Sequence, residues 1–330
     1  MPAISNVGGS VTSALVILAV AWSIRLVRIA ALRSERDRKQ RDRQTHRKKG
    51  RYAAPISPPS LKLLVGSDPF PHLLIDTRED RSSPLPQELQ GAVGIAVRDL
   101  EAALLPHKGD WAVRFGSAPP PMDTALVVIG DTSEAMFEAA MAVAACGYQR
   151  CLYLSCGLEA YKAEARKAAE RKFLSRDATA ALLGVGGGAA ADVKAAVLDL
   201  RRHDERTLYG YIQGTRHIPV HQIPAMLEMS DEECEQTYHF QKPRVSDVLV
   251  MQCRTNRRAA WAAQVFADHG YTSCFIYKAG IYGWHLDPAI KSYASYEVDE
   301  KPPEPEPFEV ETVNLASAVQ ELAAAGILKA

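Results

Sequence analysis

Hydrophobic and polar positions divide this chain into three kinds of stretch. Residues 1–24 carry no charged side chain, and residues 11–24 are nearly continuous Val, Leu, Ala, Ile and Trp. Roughly 20 mainly apolar residues suffice to cross a bilayer, and residues 4–24 just meet that length. The body of the chain is patterned differently. Short apolar runs at 73–76 (LLID), 125–130 (ALVVIG) and 151–154 (CLYL) have strand length, and 135–147 (AMFEAAMAVAACG) places apolar residues at i, i+3, i+4 helical spacing. The series recurs as 196–199 (AVLD), 247–252 (DVLVMQ) and 274–277 (CFIY), with 259–270 (AAWAAQVFADHG) as its helix. Strands alternating with helices predict an α/β fold, a mainly parallel sheet flanked by helices. The third kind is rich in Pro and Gly. Residues 50–60 (GRYAAPISPPS) read as a tether, 184–188 (GVGGG) as a break and 301–307 (KPPEPEP) as a stiff acidic linker. Residues 310–328 then predict a short strand and an Ala-rich helix.

The recurrence has a fixed offset. Ile75-Asp76-Thr77-Arg78 matches Leu198-Asp199-Leu200-Arg201, 123 positions later. At the same shift Gly147-Tyr148 matches Gly270-Tyr271, Cys151 matches Cys274 and Gly157 matches Gly280. One ungapped offset aligns residues 73–161 with 196–284, so the chain holds two copies of one fold. The expected layout is a membrane anchor with a basic juxtamembrane segment at 1–50, a first domain at 51–172 and a second at 173–298. An acidic Pro-rich linker and C-terminal helix complete it at 299–330.

Composition changes this picture in two places. Lys plus Arg equals Asp plus Glu at 39 each, so the whole chain carries no nucleic-acid signature. Residues 25–51, however, hold twelve basic and three acidic side chains, a local net charge of +9. Basic residues directly after an apolar span place the folded body on the cytosolic or matrix side, near anionic headgroups. Two other readings stay open: IRLVRIAALR at 24–33 resembles part of an organellar targeting peptide, and an amphipathic surface helix would share the pattern. The mitochondrial inner membrane is the favoured location. Six cysteines without a CxxC pair argue against a disulfide scaffold, and the C-x4-C-x4-C run of Cys146, Cys151 and Cys156 is a poor zinc pattern. No metal and no cofactor are implied.

The chemistry gathers at one place. Strand 247–252 stops at Cys253 and gives way to Arg254-Thr255-Asn256-Arg257-Arg258 before a helix near Ala259. Backbone N–H groups, the helix dipole and three arginines there favour an exposed thiolate and an anionic donor. The first copy has Gly130 in place of Cys253, followed by Asp131, Thr132, Ser133 and Glu134, with no thiol and no arginine.

Around that loop, Gly210 to Val220 (GYIQGTRHIPV) resembles the GxIxGAxHIP signature of rhodanese domains. Phe240-Gln241-Lys242-Pro243, Gly270-Tyr271, Gly280 and Trp284 fit the same family. The likeness is to single-domain thiosulfate sulfurtransferases over roughly residues 199–284. It implies a small-molecule sulfur donor such as thiosulfate, a Cys253 persulfide, and a thiol or cyanide acceptor. Arg254, Thr255, Asn256, Arg257 and Arg258 would bind the donor, with Asp199, Arg201 and His217 as structural support. The sequence departs from the pattern at Asn256, where the family has Gly, and at Ala259, where it has Ser or Thr. C-x4-R fits a sulfurtransferase loop and not the C-x5-R of related phosphatases. The expectation is a membrane-anchored tandem protein with an inactive first domain and a catalytic second one. The rival expectation is a weak or inactive scaffold or accessory subunit of an organellar membrane complex.

Overall fold

The computed structural model describes residues 53–105, 110–165, 167–188, 190, 192–284, 307–308 and 313–328. The apolar segment at 1–24, the basic tract and most of the acidic linker lie outside these residues. Among the described residues no helix is long and apolar enough to cross a membrane.

The first half runs β1 (Ala53–Ile56), α1 (Pro58–Ser67), β2 (His72–Asp76), β3 (Val93–Gly94), α2 (Leu100–Leu104), α3 (Asp110–Phe115), β4 (Ala125–Ile129), α4 (Ser133–Ala145), β5 (Cys151–Leu154) and α5 (Leu158–Glu164). The second runs β6 (Lys172–Leu174), α6 (Arg176–Leu182), β7 (Ala195–Asp199), α7 (His203–Tyr209), β8 (Tyr211–Ile212) and β9 (Arg216–His217). It continues with α8 (Ile223–Leu227), α9 (Asp231–Tyr238), β10 (Val248–Gln252), α10 (Arg257–Asp268), β11 (Cys274–Tyr277) and α11 (Gly280–Trp284). β12 (Pro307–Phe308) and α12 (Leu315–Ala324) close the chain, β12 pairing in parallel with β8.

Each half is a five-stranded parallel sheet, ordered β1-β5-β4-β2-β3 and β6-β11-β10-β7-β9. The central strands are apolar almost throughout because helices cover both faces; every residue of β4 and β5 is buried. The sheets repeat in register as well as in order. Leu73 pairs with Leu126 as Ala196 pairs with Leu249, and Val127 with Leu152 as Val250 with Phe275. Loop bonds repeat too: Ile95 N–H to Asp76 O and Ile218 N–H to Asp199 O, both 3.0 Å. Cys151 and Cys274 are buried alike, each thiol directed at the carbonyl of Tyr148 or Tyr271, and burial pushes both up to about 12.

Residues 53–60 of the stretch expected as a tether are structured instead. Residues 53–56 form the edge strand β1, and Ser57 caps α1 by accepting from Ser60 N at 3.2 Å. Pro58 and Pro59 occupy the first turn, where a missing N–H costs nothing and a fixed φ suits the helix. β1 and β6 are equivalent strands, since Ile56 pairs with Leu154 as Leu174 pairs with Tyr277. Their separation is 118 positions and not 123, and the second copy's longer connection contains Gly184–Gly188.

α1 packs on α10 of the second half. Trp261, fully buried, donates its indole N–H to Ser60 O at 3.0 Å and meets Phe70 edge-on at 5.0 Å. Ser60 Oγ donates to Asp268 at 2.6 Å, and Ser57 Oγ donates to the same carboxylate. α6 makes the analogous contact with α12, where Ser175 donates to Glu321 through N–H and Oγ.

Candidate functional site

β10 ends at Gln252, and the next residue, Cys253, opens a loop that closes into α10 at Arg257. Asn256 makes that turn with φ 70° and ψ −21°, the left-handed region that the family's glycine would supply and that Asn tolerates better than most residues. Its amide Nδ2 donates to Lys278 O, clasping the loop to the end of β11. Ile281 N–H donates to Cys253 O at 2.9 Å, and Gly280 lies so close that a Cβ there would sit 2.4 Å from Arg254 O. The first copy closes its loop the same way, with Leu158 N–H on Gly130 O at 3.2 Å and Gly157 against Asp131 O.

The first copy has no room for a thiol. A Cβ on Gly130 would stand 2.9 Å from Thr77 Oγ1 and 3.1 Å from Met136 Cγ. In the second copy these neighbours are Leu200 and Ala259, both fully buried. Ala259 therefore frees the volume that Met136 fills.

The exposed thiolate expected from the sequence is not what the structure holds. Cys253 is fully buried (0%). Nor do the three arginines converge. Arg258 folds onto α7 and pairs with Glu205 through two hydrogen bonds, the longer 2.8 Å, with the side chains 14% and 6% exposed. Burial alone would raise the Glu205 carboxyl, but Arg258's hydrogen bonds and charge outweigh it and hold the carboxyl below its ordinary range. Glu205 is fixed further by accepting from Arg202 N at 3.0 Å. Arg257 is exposed and donates to Ser67 O at 3.4 Å, at the C-terminal end of α1 where a cation complements the helix dipole. Arg254 is half-buried and Thr255 exposed beside the loop.

The supporting residues lie beneath. Asp199 and Arg201, both fully buried, form a two-pronged pair at 2.9 and 2.7 Å, and Arg201 also donates to Gly210 O at 2.8 Å. Desolvation would push the Asp199 carboxyl up, yet the charge and bonds of Arg201 bring it below its usual value. His217 Nε2 donates to Arg201 O at 2.9 Å, and burial lowers its pKa, so the ring is a neutral strut. Asp76 and Arg78 repeat the pair in the first copy at 2.9–3.2 Å. Two residues escaped the sequence reading. Glu205 announced itself only as an acid in the first turn of a helix, and Gln252 only as a polar residue ending an apolar strand.

Residues 188–287 match the family model described as rhodanese-like domain. That segment is a rhodanese-like domain. A protein of Schizosaccharomyces pombe, provisionally named a mitochondrial thiosulfate sulfurtransferase, is 32% identical over 93 residues, 28% of this chain and 65% of that protein. The chain thus spans just under two thirds of that relative's length. A rhodanese domain-containing protein of Drosophila melanogaster is 25% identical over 88 residues, 27% of this chain and 79% of that protein. The human single-domain sulfurtransferase TSTD1 aligns with 35% of this chain and 96% of its own at 27% identity, with a TM-score of 0.31. Cys253, its loop and the Glu205–Arg258 pair all fall inside the rhodanese-like domain.

Proposed function

We propose that the chain is a sulfurtransferase whose rhodanese-like domain carries sulfane sulfur on Cys253, while the first domain is catalytically silent. The observation that carries this reading is the contrast between copies: a thiol at the strand end, in a loop turned by Asn256, against a Gly130 with no space for one. In the first half-reaction the Cys253 thiolate attacks the outer sulfur of thiosulfate or a similar donor. The donor's S–S bond breaks, sulfite leaves with the electron pair, and Cys253 becomes a persulfide. A thiol or cyanide then attacks the terminal sulfur and expels the Cys253 thiolate. Arg254 and Thr255 of the loop would meet the donor, with Asn256 holding the turn, while Arg257 stays on Ser67 O and Arg258 on Glu205. The apolar residues 1–24 and the basic tract fit a membrane tether in an organelle, which fractionation of cells expressing the full chain would test.

Intact-mass measurement after exposure to thiosulfate tests the chemistry. Wild type gains one sulfur atom and loses it to cyanide as thiocyanate, whereas Cys253→Ser, folded by circular dichroism, gains none. Failure of wild type to take sulfur from thiosulfate or from a small persulfide would end the enzymatic reading. The complete burial of Cys253 favours one other reading, an accessory subunit of a membrane complex; no sulfur uptake together with co-purification in a large membrane assembly would support it.

A further inference from the structure

The second sheet ends in a row of polar side chains that the first lacks. Register sets His217, Asp199 and Gln252 side by side on β9, β7 and β10. Tyr277, one residue past the Met251–Ile276 pair, continues the row on β11. The first copy has Gly94, Asp76, Ile129 and Leu154 at these positions. Asp199 and His217 have their bonds, as above. Gln252 is fully buried, yet neither its Oε1 nor its Nε2 has a hydrogen-bond partner among the described residues. The same holds for Tyr277 Oη and Trp284 Nε1, on side chains 0% and 4% exposed.

Tyr277 and Trp284 are neighbours, and register sets Gln252 on the strand beside Tyr277. Trp284 stands edge-on to Tyr277 with ring centres 5.7 Å apart, and a Cβ on Gly283 would be 3.3 Å from the Tyr277 hydroxyl. The first copy resolves the equivalent position differently, since Tyr161, opposite Trp284 in the repeat, donates to Glu88 at 3.2 Å. Buried polar groups without partners are rare, because the desolvation they suffer is uncompensated. Here they occur in the copy that holds the thiol, Gln252 directly before Cys253 in the chain, and Ile129, Leu154 and Tyr161 stand in their places in the other copy.

Their chemistry defines the guest. Trp284 donates only, the amide of Gln252 donates and accepts, and burial raises the Tyr277 pKa so that its hydroxyl keeps its proton. Arg176 lies 6.0 Å from the Trp284 ring and is paired with Asp177 at 3.3 Å, which leaves the set without net charge. A donor-rich, neutral set matches water, which accepts two bonds and returns two. We propose that Gln252, Tyr277 and Trp284 form a buried site for about one or two ordered waters, and that Gln252, through this site, is a positioning residue for Cys253. The positioning half rests on the reading of Cys253 as the sulfur carrier.

A high-resolution crystal structure of the full chain, joined to NMR of the Trp284 indole N–H, tests both halves. Wild type should show solvent density in hydrogen-bonding range of at least two of the four atoms, and an indole cross-peak to water. Gln252→Met combined with Tyr277→Phe should lose both signals. Gln252→Met alone should slow Cys253 persulfide formation about tenfold, and Gln252→Glu, the same shape and neutral when buried, should restore the cross-peak and most of the rate. Density showing Gln252 bonded directly to Tyr277 and Trp284, an anion in place of water, or no density and no cross-peak would overturn the site. An unchanged rate in Gln252→Met would overturn the positioning role. Wild type that takes up no sulfur sinks the reading of Cys253 and with it the positioning role, while the crystal and NMR results still decide the water site.

Discussion

Replacing Glu205 by Gln isolates the interaction that draws Arg258 onto α7 and away from the Cys253 loop. The amide keeps the bond from Arg202 N and one bond from the guanidinium, but loses one charge-assisted bond and the whole Coulomb attraction. An exposed ion pair is worth about 0–1 kcal/mol, and breaking a fully buried one costs about 3–5 kcal/mol. With Glu205 4% and Arg258's side chain 14% exposed, this pair lies between the limits, and about 2 kcal/mol is the expected loss. In a protein of this size that lowers Tm by roughly 3 °C.

The sign of the pH dependence follows from the lowered carboxyl. Glu205 is ionised in the fold at pH values where the unfolded chain has begun to bind a proton, so its stabilisation is complete above the unfolded carboxylate pKa. It is lost as pH falls through the lower folded value. Thermal melts of wild type and Glu205→Gln should therefore be well separated at neutral pH and converge in acid. Releasing Arg258 also adds positive charge beside the loop, so the KM for thiosulfate should fall in the variant while stability falls too. Equal melting temperatures at neutral pH, or a gap that persists unchanged in strong acid, would refute the electrostatic reasoning; a raised KM would refute the claim that Glu205 holds Arg258 away from the donor.

Two further outcomes follow from the packing. Gly130→Cys should not bring sulfur uptake to the first copy and should cost about 1–3 kcal/mol through overpacking against Thr77 and Met136; chemical denaturation measures the loss, and adding Thr77→Leu with Met136→Ala should recover part of it. Trp261→Ala, which empties the α1–α10 contact and removes the bond to Ser60 O, should cost about 3–5 kcal/mol and open the junction to limited proteolysis near α1; an unchanged melt with unchanged digestion would contradict the packing argument.

Much of the fold was legible because a period of 123 residues carries Asp-x-Arg, Gly-Tyr and Cys into identical structural places. The strands at 73–76, 125–129, 151–154 and their partners follow from apolar runs of strand length, and the structure finds them in one register. The first strand and helix were hidden for a physical reason. Their prolines suit a tether in isolation, whereas at the first turn of a helix they cost nothing, and only pairing with β5 makes 53–56 a strand. At the site, sequence placed Cys253 and Asn256 at a strand-to-helix turn but treated three nearby arginines as one anion cradle. Side-chain direction decided otherwise. Arg257 reaches a helix end on the first domain and Arg258 a carboxylate on α7, and neither partner is near in sequence.

The two copies separate architecture from chemistry within one chain. The Asp-Arg pair, the loop-closing glycine and the tyrosine that reaches back to Pro120 or Pro243 survive in both, so they belong to the fold. The differences concentrate at one end of the second sheet: Cys253 for Gly130, Ala259 for Met136, Arg258 for Ala135, Glu205 for Ser82, Gln252 for Ile129 and Tyr277 for Leu154. A first domain without these substitutions still grips α10 through Ser57, Ser60 and Phe70. α10 begins at the Cys253 loop; Phe70 meets Trp261 near that start, while Ser57 and Ser60 hold the far end of the helix at Asp268. On the proposed reading, a first domain without the thiol still contributes to the site by holding the helix that follows the Cys253 loop.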